Sequence, residues 1–133
     1  MSKKPFVSKE KLDEIAAQYA TPFYLYDEAA IRETARRVNK AFAWNQGFKE
    51  YFAVKATPNP AILKILHEEG CGADCSSYTE LQMADAVGFK GDEIMFSSNA
   101  TPAEDFQLAR QLNVTINLDD ICLLYTSPSP RDA

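Results

Sequence analysis

The sequence predicts an α/β fold: a parallel sheet forming part of a (β/α)8 barrel, about its first four strand-helix units, preceded by a helix and a strand. Three observations carry this. Short apolar runs recur at intervals of roughly 21 residues from residue 51 onward, and segments with helical spacing and capping residues fill the gaps. No GxGxxG or GxxxxGK follows any of the apolar runs, so the best markers of an open nucleotide-binding sheet are missing. An open doubly wound sheet and a closed barrel share the local pattern, and the missing markers favour the barrel. A complete TIM-type barrel takes about 250 residues, so a chain of 133 with four units holds about half of one.

The elements follow in order. Ser8 caps a first helix through about Tyr19, whose apolar positions Leu12, Ile15, Ala16 and Tyr19 fall at helical spacing. Thr21-Pro22 ends it, and Phe23-Tyr24-Leu25-Tyr26 reads as a short strand. Asp27 caps a second helix carrying Ile31, Ala35, Val38 and Phe42, and Gly47 marks the turn after it. Strands are predicted around Tyr51–Val54, Gly72–Cys75, Ile94–Ser97 and Val114–Leu118. Between them, one helix starts at Pro60, a second runs from Thr79 to Val87 and stops at Gly88, and a third spans Pro102 to Leu112 with Thr101 as its cap.

The residues thus divide into 1–45 (leading helix, strand and helix), 46–121 (partial barrel) and 122–133. The last segment, Cys122 to Ala133, arrives where a helix is due, and its Ser127-Pro128-Ser129-Pro130 run cannot propagate one. It resembles the in-frame translation of a transposon-derived sequencing-library adapter, which makes it a non-native tail to be set apart from fold reasoning.

Composition excludes some partners. With 46% hydrophobic and 25% charged residues the chain reads as a soluble globular protein, and a net charge of −5 disfavours nucleic acid and anionic membranes as partners. There is no apolar run long enough to span a bilayer and no signal peptide, so the cytoplasm is the expected compartment. Cys71, Cys75 and Cys122 include no CxxC pair and His67 is the only histidine, which supports neither a disulfide framework nor a metal site. Cys71 and Cys75 flank a predicted buried strand and read as small core residues, while His67, in His67-Glu68-Glu69, reads as a solvated helix end.

Lys55 closes the apolar strand Tyr51-Phe52-Ala53-Val54, just before the turn Thr57-Pro58-Asn59-Pro60. That position is the C-terminal mouth of a barrel, where barrel active sites occur, and an ammonium desolvated there becomes able to attack an aldehyde. By position alone a solvated surface lysine is the more common outcome.

A resemblance adds to this. Tyr51-Phe52-Ala53-Val54-Lys55-Ala56 is similar to the Tyr-x-Ala-Val-Lys-Ala motif of the pyridoxal phosphate (PLP) dependent decarboxylases of the alanine racemase-like barrel fold. Gly72-Ala73-Asp74-Cys75-Ser76-Ser77-Tyr78-Thr79-Glu80-Leu81 resembles that family's second barrel strand and the helix after it, and Glu93-Ile94-Met95-Phe96-Ser97-Ser98-Asn99 its third strand and loop. Thr21-Pro22-Phe23-Tyr24-Leu25-Tyr26-Asp27 resembles the leading strand, which in complete members joins a C-terminal β domain. The resemblance implies that Lys55 holds PLP covalently and that Asp74 and Glu80 lie near it, orienting or charge-balancing it. Read from the residues, Asp74 can equally tie up strand-end amides, and Glu80 can be a first-turn residue favoured by the helix dipole. Ser98 and Asn99 are weaker candidates on the loop.

The resemblance further implies an amino-acid substrate, a homodimer, and ring-stacking and phosphate-binding residues beyond residue 133, so that this chain by itself is inactive. The opening segment and the Phe96-Ser97-Ser98-Asn99 loop look most like members acting on meso-diaminopimelate. Members acting on ornithine, arginine or carboxynorspermidine share much of the rest. A noncatalytic PLP-binding protein is the alternative of another class, and the leading Phe23–Tyr26 segment weighs against it.

Overall fold

The computed structural model describes residues 4–99 and 101–120. The segment 122–133, Cys122 included, lies outside the described residues. Two helices come first, α1 (Lys9–Gln18) and α2 (Glu28–Ala41). Then strands and helices alternate: β1 (Tyr51–Ala53), α3 (Pro60–Glu68), β2 (Gly72–Cys75), α4 (Tyr78–Val87), β3 (Ile94–Ser97), α5 (Ala103–Gln111) and β4 (Thr115–Asn117). All three strand pairs are parallel and the order is β1-β2-β3-β4.

That order has no reversal, so each right-handed crossover returns its helix to the same face. The core shows this directly. Ala73, Cys75, Ile94 and Phe96, alternate residues of β2 and β3, are buried with Leu63 of α3, Leu81 and Ala84 of α4, and Phe106 and Ala109 of α5. Each large side chain buried there contributes about 1.5–3 kcal/mol. The opposite face of the sheet carries no helix of this group. Helices on one side and a monotonic strand order are the geometry of a barrel arc, as the sequence predicts, and not of a doubly wound sheet.

Local chemistry explains the boundaries. Ser8 and Asp27 cap α1 and α2 through bonds from Lys11 N and Ala30 N, and Asn59 caps α3 through Ala61 N. Gly88 closes α4 at φ 117°, a left-handed conformation that favours glycine. Gly72 is required for another reason: a Cβ there would lie 2.5 Å from Cδ1 of Tyr51 and 2.8 Å from the Glu93 carbonyl oxygen. The Tyr51 ring occupies that space, and its hydroxyl donates to the Asp92 carbonyl.

An ion-pair cluster fixes α2 to the C-terminal end of α3. Arg36 Nε meets Glu69 Oε2 at 2.6 Å, Arg32 reaches Glu69, Glu68 and Glu28, and Asn39 donates to the Glu69 carbonyl. Both cysteines of the described residues are free and buried. Burial pushes each thiol up to about 12, with Glu50 adding to the effect at Cys71 and Glu80 at Cys75. Among the described residues, no helix is long and apolar enough to cross a membrane.

Three local expectations are corrected. Phe23–Tyr26 forms no strand: its backbone meets no ladder partner among the described residues, and Tyr24 is 88% exposed. Strand propensity without a neighbouring backbone gives only an extended segment. Thr101 does not cap α5; the cap position is Pro102, and the Thr101 hydroxyl donates to the Ser98 carbonyl instead. His67 is not a solvated helix end. Its ring lies 4.3 Å from that of the fully buried Phe89 and its Nε2 lies 3.3 Å from Glu93 Oε2, because the last turn of α3 packs over the α4–β3 connection.

Candidate functional site

The helix-free face of the sheet is built in levels, because side chains return to one face every second residue and paired residues of parallel strands share that face. Tyr51 and Gly72 form the first level. Ala53, Asp74, Met95 and Thr115 form the second. Ser97 and Asn117 form the third, at the C-terminal ends of β3 and β4. In a closed barrel this face points inward, and its C-terminal end is the mouth.

Lys55 stands two residues beyond Ala53, on a single 3-10 turn (Val54–Ala56) at the mouth end of β1. Its backbone is held firmly. Val54 is fully buried, Thr57 N donates to the Val54 carbonyl, and Asn59 caps the next helix. The side chain is exposed and has no ion-pair partner among the described residues.

Asp74 lies one level below, in register with Ala53 on one side and Met95 on the other. Neither neighbour carries a hydrogen-bond donor in its side chain. Oδ1 of Asp74 is accordingly buried without a hydrogen-bond partner among the described residues, an arrangement that a donor or cation would relieve.

Glu80 has a different surrounding. Its Oε2 accepts from Ser76 N at 2.7 Å, and Ser77 Oγ accepts from Glu80 N at 3.4 Å. Ser77 caps α4 through the Glu80 amide, and the Glu80 carboxylate reaches one residue further back to the Ser76 amide, fixing the loop that leaves β2 just above Asp74. The structure thus brings Lys55 and Asp74 to adjacent strand ends and places Glu80 behind the connecting loop. Ser98 is buried and Asn99 exposed on the loop after β3; the Ser98 carbonyl holds Thr101.

Sequence reasoning overlooked Ser97 and Asn117, which share the mouth and are joined by Asn117 Nδ2 donating to Ser97 Oγ at 3.3 Å. The signal was the repeat itself. Counting 21 residues from Lys55 reaches Ser76, another 21 reaches Ser97, and 20 more reaches Asn117.

A groove of about 490 Å³ lies elsewhere, between α2, α3 and β1, and is lined mostly by apolar residues such as Ile31, Val38, Phe52, Ile62 and Leu66. None of Lys55, Asp74 and Glu80 lines it. The candidate site is therefore read not from size but from the exposed Lys55, the partnerless Oδ1 of Asp74 and the polar mouth.

These residues fit part of PLP. Lys55 offers an unpaired amine to an aldehyde, and Asp74 offers an acceptor awaiting a donor or cation. Of the amides near the starts of α3 and α4, the usual anchors for a phosphate, Ala61 N donates to Asn59, Ser76 N to Glu80 and Glu80 N to Ser77.

Comparison with known proteins identifies the family. The family model described as pyridoxal-dependent decarboxylase, pyridoxal binding domain, matches residues 28–126, ending inside the segment 122–133. The chain is 49% identical over 113 residues to the protein TabA of Pseudomonas amygdali pv. tabaci, covering 85% of this chain and 27% of that one. It is 39% identical over 107 residues to the diaminopimelate decarboxylase of Methanothermobacter thermautotrophicus, covering 80% and 25%. Among solved structures it is similar to diaminopimelate decarboxylase from M. jannaschi, with a TM-score of 0.78 and 31% identity over 84% of this chain and 27% of that one. That enzyme is also solved in co-complex with L-lysine. Ornithine decarboxylase from Entamoeba histolytica gives a TM-score of 0.74 and 25% identity, covering 88% and 37%. The chain spans about a quarter of the length of these curated relatives.

Proposed function

Since this chain belongs to the pyridoxal-dependent decarboxylases, within their pyridoxal binding domain, we propose that the full-length polypeptide carrying it converts meso-2,6-diaminopimelate to L-lysine, with Lys55 holding the cofactor. The observation that carries this reading is the unpaired Lys55 at the mouth end of β1, two residues beyond Ala53, whose register partner Asp74 has an Oδ1 without a partner.

When bound, PLP supplies an aldehyde for a lysine amine and an electron-withdrawing ring that accepts the electron pair left as carbon dioxide departs. The chain's own residues do the rest. Lys55 would hold the cofactor at the mouth through its side-chain amine. Asp74 balances positive charge on the bound group at close range, where the low dielectric of a filled barrel strengthens the attraction. Glu80 acts by holding the Ser76 amide, which sets the loop above Asp74.

The choice of meso-diaminopimelate is supported by the diaminopimelate decarboxylases among the relatives. The similarity to ornithine decarboxylase supports a second reading, a decarboxylase for another basic amino acid. On either reading the parent is a homodimeric cytoplasmic enzyme, the 133-residue chain alone is inactive, and residues 122–133 are foreign to it.

In the full-length polypeptide, Lys55→Ala should abolish both the visible absorbance of the bound cofactor and carbon dioxide release. Retention of both would refute the assignment. Release of carbon dioxide from ornithine or arginine, and none from meso-diaminopimelate, would replace the first reading by the second.

A further inference from the structure

We propose that Tyr51 is a positioning residue of the site: its ring floors the space beneath Asp74 and keeps water from the lower side of that carboxylate, leaving the mouth as the direction of approach. This rests on the reading of Asp74 as the residue that balances positive charge on the bound cofactor.

Register puts Tyr51 on the face that carries Asp74. Tyr51 pairs with Gly72 and Ala53 with Asp74, so on the helix-free face Gly72 is the position next below Asp74, roughly 7 Å down the strand. Gly72 has no side chain to fill that position. The Tyr51 ring fills it instead: a Cβ on Gly72 would lie 2.5 Å from Cδ1 and 2.7 Å from Cε1 of Tyr51.

The ring is tied down at its far end. Its hydroxyl donates to the Asp92 carbonyl at 2.5 Å, on the single turn Gly91–Glu93 that leads into β3. The side chain thus leaves β1, crosses β2 over Gly72 and is anchored beside β3. Lys49 adds a second hold, with Nζ 5.7 Å from the ring centroid and 3.4 Å from the same carbonyl oxygen. Burial first, and then the Asp92 and Glu93 carboxylates, push the Tyr51 phenol up, so it stays a neutral donor to that carbonyl.

The consequence falls on Asp74. Its Oδ1 is shielded from solvent and has no hydrogen-bond partner among the described residues. Ala53 and Met95 stand beside it in register and offer no donor, and the ring below presents carbon, because its one polar atom is committed to Asp92. A donor or cation arriving from the mouth therefore meets a carboxylate oxygen that no water has already claimed, where screening is weak. Glycine at 72 and tyrosine at 51 are two halves of one device, since a methyl group at 72 would drive the ring out.

The test uses the full-length polypeptide with Tyr51→Leu, which stays apolar but cannot reach across Gly72, and Tyr51→Phe, which keeps the ring. Each is made in the parent and in an Asp74→Asn background, and the apoproteins are titrated with PLP. Tyr51→Leu should weaken cofactor binding about fivefold in the parent and leave it unchanged in the Asp74→Asn background, while Tyr51→Phe keeps the parent affinity. Equal losses for Tyr51→Leu in both backgrounds would overturn the proposal, because they mark a packing defect that does not act through Asp74. So would parent-like affinity in Tyr51→Leu, or a loss in Tyr51→Phe as large as that in Tyr51→Leu. Should Tyr51→Leu not fold, the strand-favouring Tyr51→Val is read in the same two backgrounds against the same outcomes. An Asp74→Asn protein that binds PLP as the parent does removes the charge-balancing reading itself, whatever the Tyr51 variants show, and the floor with it.

Discussion

Replacing Asp74 by Asn separates a binding role from a structural one. Oδ1 of Asp74 is buried without a partner, flanked by Ala53 and Met95. An unsatisfied buried polar oxygen costs about 1–3 kcal/mol, and more when it carries charge. Asn keeps the shape and removes the charge but still leaves a polar atom there, so the cofactor-free full-length protein should be at least as stable as the parent, with a gain of up to about 1 kcal/mol. The holoprotein should lose what the carboxylate does for the bound group: weaker PLP binding and slower decarboxylation. Urea denaturation of the cofactor-free form gives the first quantity, and titration of the apoprotein with PLP gives the second. Such opposed changes mark a site residue held at the expense of stability. A loss of apoprotein stability with unchanged cofactor affinity would refute the reasoning and make Asp74 a structural residue.

Gly72→Ala should destabilise by about 1–3 kcal/mol in thermal or urea melts, since its Cβ would meet the Tyr51 ring and the Glu93 carbonyl at under 3 Å. The Glu69 carboxyl is held below the ordinary carboxylate range by its bonds from Arg36 and then Arg32. Its contribution is therefore present above the unfolded-state pKa and lost as pH falls through the folded one; melting temperature should drop in that acid window, and Glu69→Gln should flatten the drop. Cys71 and Cys75, raised to about 12, should resist iodoacetamide at neutral pH in the native protein and react once urea unfolds it, as mass spectrometry will show.

The sheet was legible in the sequence because each strand alternates in a way the helices demand. Ala73, Cys75, Ile94 and Phe96 are small or apolar at the positions that meet α3, α4 and α5. Caps such as Ser8, Asp27 and Gly88 are local chemistry and were equally readable. Phe23–Tyr26 shows the limit. Its composition favours a strand, but pairing needs a second backbone, which no local reading supplies. His67 shows the same limit: its polar neighbours Glu68 and Glu69 say nothing of Phe89 and Glu93, more than twenty residues away. The site divides along the same line. The position of Lys55 follows from strand length, whereas the isolation of Asp74 depends on Ala53 and Met95 standing beside it, a property of register. The Ser77-x-x-Glu80 spacing signals the Ser77 cap, while the Glu80 carboxylate binds the amide one residue earlier, at Ser76.

The strand order also bears on how the chain comes off the ribosome. Every strand pairs with the one made twenty to twenty-one residues earlier: Tyr51 with Gly72, Ala73 with Ile94, Met95 with Thr115. No pairing in this arc waits for a distant part of the polypeptide, so loop-closure entropy stays small at each addition. A nascent chain can dock each unit on the last as it emerges. The free edge of β1 is the exception. Made first, it can be satisfied in a closed barrel only by the last strand synthesised, and it stays a site for misplaced pairing throughout translation.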